Sequence, residues 1–283
     1  MSKRDDIIVS ADWLQERLGQ PGLSIVDGSW YLPTQNRDAF GEYEAGHIPG
    51  AVFFDHDLVV QPGVELPHAM PSPKVFASHA GSMGIAAHDT IVVYDGPGFF
   101  SAPRVWWLFK VMGAADVKIL DGGLDGWKAE GRPLTADKTR NAGCFFETRH
   151  DPKTVVSFEE MQRIVGTGAA QVVDARPVGR FTGAEPEPRE GMRSGHMPGA
   201  RNVPAVPLSP GGRFLDEEAL RAAFEAAGVD LARPVVTSCG SGITAAVLIL
   251  ALELLGKQDG RIYDGSWAEW GGRADTPVVT GEA

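Results

Sequence analysis

Short runs of apolar, largely β-branched residues alternate with longer helix-like stretches along this chain, and the whole alternation occurs twice. Val9-Ser10 opens a helix-like segment reaching Leu18-Gly19, and Val156-Ser157 opens another reaching Val165-Gly166. Ser157 with Glu160 reads as a capping box, and Ser10 offers the same N-cap without the glutamate. A buried-strand signal ending in aspartate follows in each half, Ile25-Val26-Asp27 and Val172-Val173-Asp174. Next come two turns of nearly the same spelling, Gly46-His47-Ile48-Pro49-Gly50-Ala51 and Gly195-His196-Met197-Pro198-Gly199-Ala200. A second apolar strand, Ile91 to Tyr94 or Val235 to Ser238, leads into a Gly-bearing loop and an apolar helix. Each half closes on a strand and turn, Ile119-Leu120-Asp121-Gly122-Gly123 with Trp127, and Ile262-Tyr263-Asp264-Gly265-Ser266 with Trp267.

The repeat spacing of about 147 residues is too long for a solenoid and suits tandem domains. Strands alternating with helices predict an α/β fold in which each domain is a parallel sheet with helices on both faces. The charged and small residues from Leu134 to Lys153 offer the best linker, with the boundary near residue 145. The expected division is a first domain over 1–140, a linker over 141–153 and a second domain over 154–283.

Composition narrows the function. The chain has 283 residues, 43% hydrophobic and 22% charged, and a net charge of -11 that argues against nucleic acid or an anionic membrane as partner. No apolar run reaches the roughly 18 residues of a membrane span, and the first residues lack a signal-peptide core, so a cytoplasmic protein is expected. Two cysteines make no disulfide framework. The histidines are dispersed and there is no Walker-type or dinucleotide loop, so neither a metal nor a nucleotide cofactor is expected.

The two cysteines differ in setting. Cys144 lies between Gly143 and Phe145 with nothing to activate a thiol, and reads as a bystander. Cys239 opens Cys239-Gly240-Ser241-Gly242-Ile243-Thr244 between an apolar strand and the apolar stretch Ala245 to Leu255. Loop amides and a helix N-terminus favour an anion there, so Cys239 is the candidate nucleophile. Aligning the halves puts Asp95 opposite Cys239, so only the second half presents a thiol.

Taken in order, the Cys239 loop through Ala245, Ser29-Trp30-Tyr31-Leu32-Pro33, Ser101 to Trp107, Arg180-Phe181 with Glu185 to Arg189, and Tyr263 to Trp267 resemble the 3-mercaptopyruvate sulfurtransferase family of the rhodanese superfamily. The resemblance spans nearly the whole chain. It implies that the Cys239 thiolate takes sulfur from a small-molecule donor, becomes a persulfide, and passes the sulfur to cyanide or to a thiol such as glutathione or thioredoxin. It also implies that the neutral Gly240-Ser241-Gly242 loop suits mercaptopyruvate, whereas a basic loop would suit the thiosulfate dianion.

Carried onto this chain, the family's substrate-binding arginines fall on Arg180 and Arg189, whose guanidinium forks match the oxygens of an α-keto acid. Their competing reading is surface pairing with Glu185 or Glu187. The amides of Gly240, Gly242, Ile243 and Thr244 would complete the donor site, although Thr244 also reads as a helix cap. A proton must reach the enolate left when the carbon–sulfur bond breaks. The resemblance implies a Ser-His-Asp relay for it, with Ser241, His47 and, most loosely, Asp38. Against His47 stands His196 in the matching turn, because a histidine present in both halves points to a fold role. Asp174 with Arg176 reads as a loop-ordering ion pair, and the tryptophans as core.

Three other classes are weighed. A cysteine-dependent phosphatase needs an arginine at the end of the loop, where this chain has Ala245. A thiosulfate sulfurtransferase shares the chemistry with another donor. A sulfur-carrier or regulatory module without enzymatic activity would not need both arginines.

Overall fold

The computed structural model describes residues 3–139 and 141–282. Two compact units emerge, one made of the residues up to Gly63, Met70–Asp151 and Ser209–Phe214, the other of Val64–Ala69, Pro152–Leu208 and the residues from Leu215 onward. Each unit therefore includes a short segment from the opposite half of the chain.

In the first unit, α1 (Lys3–Ile7), β1 (Ile8–Val9), α2 (Ala11–Gln15), β2 (Leu23–Asp27), α3 (Ala39–Ala45), β3 (Ala51–Phe53), α4 (Pro73–Ser82), β4 (Thr90–Tyr94), α5 (Ala102–Val111), β5 (Asp116–Leu120) and α6 (Gly123–Ala129) follow one another. The five strands form a parallel sheet in the order β1-β5-β4-β2-β3. Four of the five β4 residues are buried, as a strand covered on both faces requires.

The second unit repeats this plan with β6 (Val155–Val156), α7 (Phe158–Thr167), β7 (Gln171–Asp174), α8 (Val178–Thr182), β8 (Arg201–Asn202), α9 (Glu217–Ala226), β9 (Val235–Ser238), α10 (Ala245–Leu254), β10 (Arg261–Tyr263) and α11 (Ser266–Trp270). Its parallel sheet runs β6-β10-β9-β7-β8, the same order element for element. All ten residues of α10 are buried, which its nearly unbroken apolar sequence dictates. Six residues separate the end of β9 from the start of that helix, so it anchors whatever the intervening loop carries.

Local expectations hold with two adjustments. Ser10 and Ser157 both cap their helices, accepting from Trp13 N–H at 3.1 Å and Glu160 N–H at 3.2 Å. The Glu160 carboxylate, expected to complete a capping box, instead takes Arg261 Nη1 and Nη2 at 2.7 and 2.8 Å. Helix α2 stops at Gln15 and continues as turns to Gly19, which sits in the left-handed region at φ 74°.

Residues 141–151 are not a free linker. Phe146 is fully buried against Phe76 and Phe109 at centroid distances of 5.4 and 5.9 Å. Cys144 N–H bonds the Gly81 carbonyl at 3.0 Å, and Arg149 N–H that of Met112 at 2.8 Å. One anchoring phenylalanine among small and charged residues binds a segment whose composition reads as solvated.

No helix among the described residues is long and apolar enough to cross a membrane. Trp106, Trp107, Trp127, Trp267 and Trp270 are core residues, each at most 2% exposed.

Candidate active site

Cys239 stands at the end of β9, and its side chain is 1% exposed. Gly242 N–H donates to Sγ at 3.1 Å, and Gly242 reaches that position at φ 83°, which favours glycine. The backbone of the loop is clamped from α11, with Trp267 N–H on the Cys239 carbonyl and Ala268 N–H on the Gly240 carbonyl, both at 2.9 Å. Cys239 N–H itself donates to Ser266 Oγ at 3.2 Å. Ile243 is buried, and Thr244 occupies the N-cap position of α10 without a side-chain capping bond. The loop thus aims a buried sulfur at the Gly242 amide.

A chain of ion pairs leads to this loop. Asp174, at the end of β7, is forked by Arg176, with Nη2–Oδ2 at 2.7 Å and both side chains buried. Arg176 Nη1 reaches Glu187 Oε1 at 2.7 Å, and Glu187 in turn accepts from Arg180 Nε at 3.2 Å and from Arg180 Nη2. Desolvation would drive the Arg176 guanidinium down, but Asp174 and Glu187 together raise it. Arg180 lies over the loop: a Cβ built on Gly240 would come 3.1 Å from Arg180 Nη2. Pairing with Glu187 and proximity to the nucleophile loop, which read as alternatives from sequence, are both present. Arg189 sits half-buried on the same connection.

Ser241 is 6% exposed, and its Oγ lies 2.9 Å from His68 Nδ1, across 173 positions of sequence. The histidine beside Ser241 is therefore His68, not His47. His47 is used by its own fold: its Nδ1–H donates to the Tyr43 carbonyl at 2.8 Å, and its ring stacks on Tyr43 at 4.0 Å. His196 does the same in the second unit, bonding the Phe181 carbonyl at 2.9 Å and stacking on Phe181 at 3.8 Å. Both backbones also pair with a trailing segment, at Thr135 and Val279. Asp38 likewise has a local task, capping α3 by accepting from Gly41 N–H at 3.0 Å. His47 and Asp38 each hold local geometry in the first unit, the one its turn and the other the start of α3.

His68 escapes a reading of the sequence because no pattern surrounds it. Its signal is conformational: it is buried, 5% exposed, and one of four non-glycine residues at positive φ among the described residues, at 57°.

The first unit shows what the loop becomes without sulfur. Asp95 stands at the end of β4 in the register position of Cys239, since Asp27 pairs with Tyr94 as Asp174 pairs with Ser238. Its carboxylate accepts the N–H groups of Gly98 at 2.6 Å, Phe100 at 2.8 Å, Ser101 at 2.6 Å and Ala102 at 2.8 Å. Burial nevertheless pushes its carboxyl above the usual range. Cys144 is exposed on the first unit, and desolvation pushes its thiol up, away from reactivity. Among the described residues no group of three or more His, Cys, Asp or Glu side chains is placed to hold a metal.

Comparison with known proteins agrees with this architecture. Residues 10–130 and 157–273 each match the Rhodanese-like domain family. The chain is 43% identical to the human protein named 3-mercaptopyruvate sulfurtransferase, covering 97% of this chain and 95% of that one. It is 41% identical to the Escherichia coli K12 protein of the same name, covering 95% and 96%. The crystal structure of SseA from Escherichia coli, described as a 3-mercaptopyruvate sulfotransferase with the rhodanese fold, superposes with a TM-score of 0.85 at 38% identity, over 92% of this chain and 98% of that one. The chain belongs to the rhodanese family, as a tandem of two rhodanese-like domains, the second of which carries Cys239.

Proposed function

We propose that this protein is a 3-mercaptopyruvate sulfurtransferase that carries sulfur as a persulfide on Cys239. The observation that carries the reading is the buried Cys239 sulfur receiving the Gly242 N–H at 3.1 Å, with the Arg180 guanidinium over the next residue of the loop. Arg180 and Arg189 bind the carboxylate and keto oxygens of the donor. The Cys239 thiolate attacks the donor sulfur, the sulfur–sulfur bond forms, and the carbon–sulfur bond breaks with its electron pair left on carbon as the enolate of pyruvate. The proton lost from the donor thiol ends on that carbon, by way of Ser241 and His68, whose 2.9 Å contact supports a proton relay. The products are pyruvate and a Cys239 persulfide whose negative charge the amides of Gly242, Ile243 and Thr244 stabilise. A nucleophilic acceptor, cyanide or a cytoplasmic thiol such as glutathione or thioredoxin, then takes the outer sulfur and returns the thiolate.

Cys239→Ser is expected to lower pyruvate release from 3-mercaptopyruvate by at least about 10³-fold with the fold intact. Mass spectrometry of the wild-type protein after donor treatment should find one added sulfur on the peptide containing Cys239. A serine variant that still released pyruvate at the wild-type rate would end the mechanism. For donor choice, kcat/KM for mercaptopyruvate should exceed that for thiosulfate by about tenfold or more on one preparation. The reverse ratio would mean that the neutral loop does not select the donor.

A further inference from the structure

Ser266 has a backbone that serine rarely adopts and a hydroxyl turned toward the nucleophile. It opens α11 at φ 50°, in the left-handed region, and its side chain is fully buried. The matching residue of the first unit is Gly123, because Leu124 N–H bonds the Asp95 carbonyl just as Trp267 N–H bonds that of Cys239. Gly123 has φ 58°, and a Cβ there would lie 2.5 Å from the Asp95 carbonyl oxygen and 2.6 Å from Gly98 N. Glycine is what that turn asks for, and the first unit supplies it. The second unit carries a β-carbon there instead, in a left-handed backbone that disfavours one. In return its Oγ accepts Cys239 N–H at 3.2 Å and donates to the Tyr263 carbonyl at 2.9 Å.

We propose that Ser266 is a positioning residue for Cys239, tolerated in a strained turn because its hydroxyl fixes the nucleophile's own amide. The Tyr263 carbonyl orients the hydroxyl, which leaves its lone pairs toward Cys239 N–H. Anchoring that N–H sets the direction in which the Cβ–Sγ bond leaves the strand, and so holds the sulfur at the Gly242 amide. A loop that must accept attack at one sulfur and then shelter a second has little tolerance for rotation at that bond. The inference rests on the sulfur-transfer reading given above.

Ser266→Gly separates this role from a structural one, because glycine suits the left-handed turn and removes the hydroxyl. The variant should unfold at a temperature equal to or above that of the wild type. Its kcat for pyruvate release should fall about tenfold while KM stays within about twofold, since alignment and not donor binding is lost. Ser266→Ala, which keeps the β-carbon, should lose kcat to the same extent and serves if the glycine variant folds poorly. The rate at which iodoacetamide alkylates Cys239 should fall in parallel in both. Wild-type kcat and alkylation rate in either folded variant would overturn the proposal. Alkylation requires no sulfur donor, so a wild-type protein that released no pyruvate would refute the sulfur-transfer reading without deciding the role of Ser266.

Discussion

The loops that follow β4 and β9 begin at the same register of two equivalent sheets and are clamped by equivalent pairs of backbone bonds, yet one is closed by its own side chain and the other is open. Asp95 fills the first with a carboxylate that satisfies four amides. Cys239 fills the second with a single sulfur that takes one, from Gly242, the counterpart of Gly98. Aspartate extends Cβ–Cγ–Oδ, and a cysteine persulfide extends Cβ–Sγ–Sδ, so each side chain ends in an anionic atom two bonds beyond Cβ. The first loop therefore displays the charge pattern that the second would acquire on loading with sulfur. The difference teaches that the anion cradle belongs to the fold, and that chemistry requires it to be left incomplete.

The groups above the loops diverge in the same way. A Cβ on Gly96, next after Asp95, would lie 2.3 Å from Tyr31 Oη, and that hydroxyl donates to Glu42 at 3.0 Å. On Gly240, next after Cys239, the neighbour is Arg180, held by Glu187. Each unit thus holds a polar group over its loop through a glutamate. In the first unit the group nearest the loop is a neutral hydroxyl, with the Arg37 guanidinium stacked behind it on the Tyr31 ring at 3.8 Å; in the second the guanidinium itself lies against the loop.

If the cradle is a fold element, emptying it in the first unit should be costly. Asp95→Ala removes a carboxyl whose burial is unfavourable, but it leaves four N–H groups without their acceptor. A net loss of about 2–4 kcal/mol in urea unfolding is expected, with Asp95→Asn losing less because it keeps one oxygen. An alanine variant as stable as the wild type would mean that the cradle does not need its anion.

The aspartates that end β2 and β7 sharpen the contrast further. Asp174 is neutralised by Arg176, whereas the matching residue after Asp27 is Ser29, which brings no charge and donates its N–H to Asp27 at 2.9 Å. Desolvation pushes the Asp27 carboxyl up to about 6. A carboxyl raised on folding binds its proton more tightly in the native state, so its contribution is greatest below the unfolded value near 4 and is lost as pH rises through about 6. The wild type should lose about 3 kcal/mol over that window relative to Asp27→Asn, which cannot ionise. Urea midpoints of the two proteins that ran parallel from pH 4 to pH 7 would refute the raised carboxyl.

What could be read from the sequence was whatever is written locally. The repeat, the parallel sheets and the Cys239 loop each show in spacing, β-branching and glycine placement. His68 does not, because its meaning depends on residues 64–69 packing in the unit formed mainly by the other half of the chain, and on a left-handed backbone that no glycine advertises. His47 was the more conspicuous histidine because its turn is spelled twice. Repetition there marks a ring stacked on an aromatic and bonded to a carbonyl, once in each unit. Ser266 is the reverse case, a departure from the repeat at a position where the first unit has glycine.

The smallest expected effect tests whether the glutamate above the second loop serves binding or chemistry. Glu187 accepts from both Arg176 and Arg180, so Glu187→Gln keeps the shape while removing the charge that holds two guanidinium groups. The Arg176–Asp174 pair survives, and the sheet end should stay ordered. Arg180 then has only a neutral acceptor to fix its plane, and a fork that wanders meets a planar carboxylate less often. KM for 3-mercaptopyruvate should rise about tenfold with kcat within about twofold, the pattern of lost ground-state binding. If the loss fell on kcat alone, Arg180 would be acting on the reacting atoms instead of the donor's carboxylate, and the second loop's cation would owe its place to the transition state.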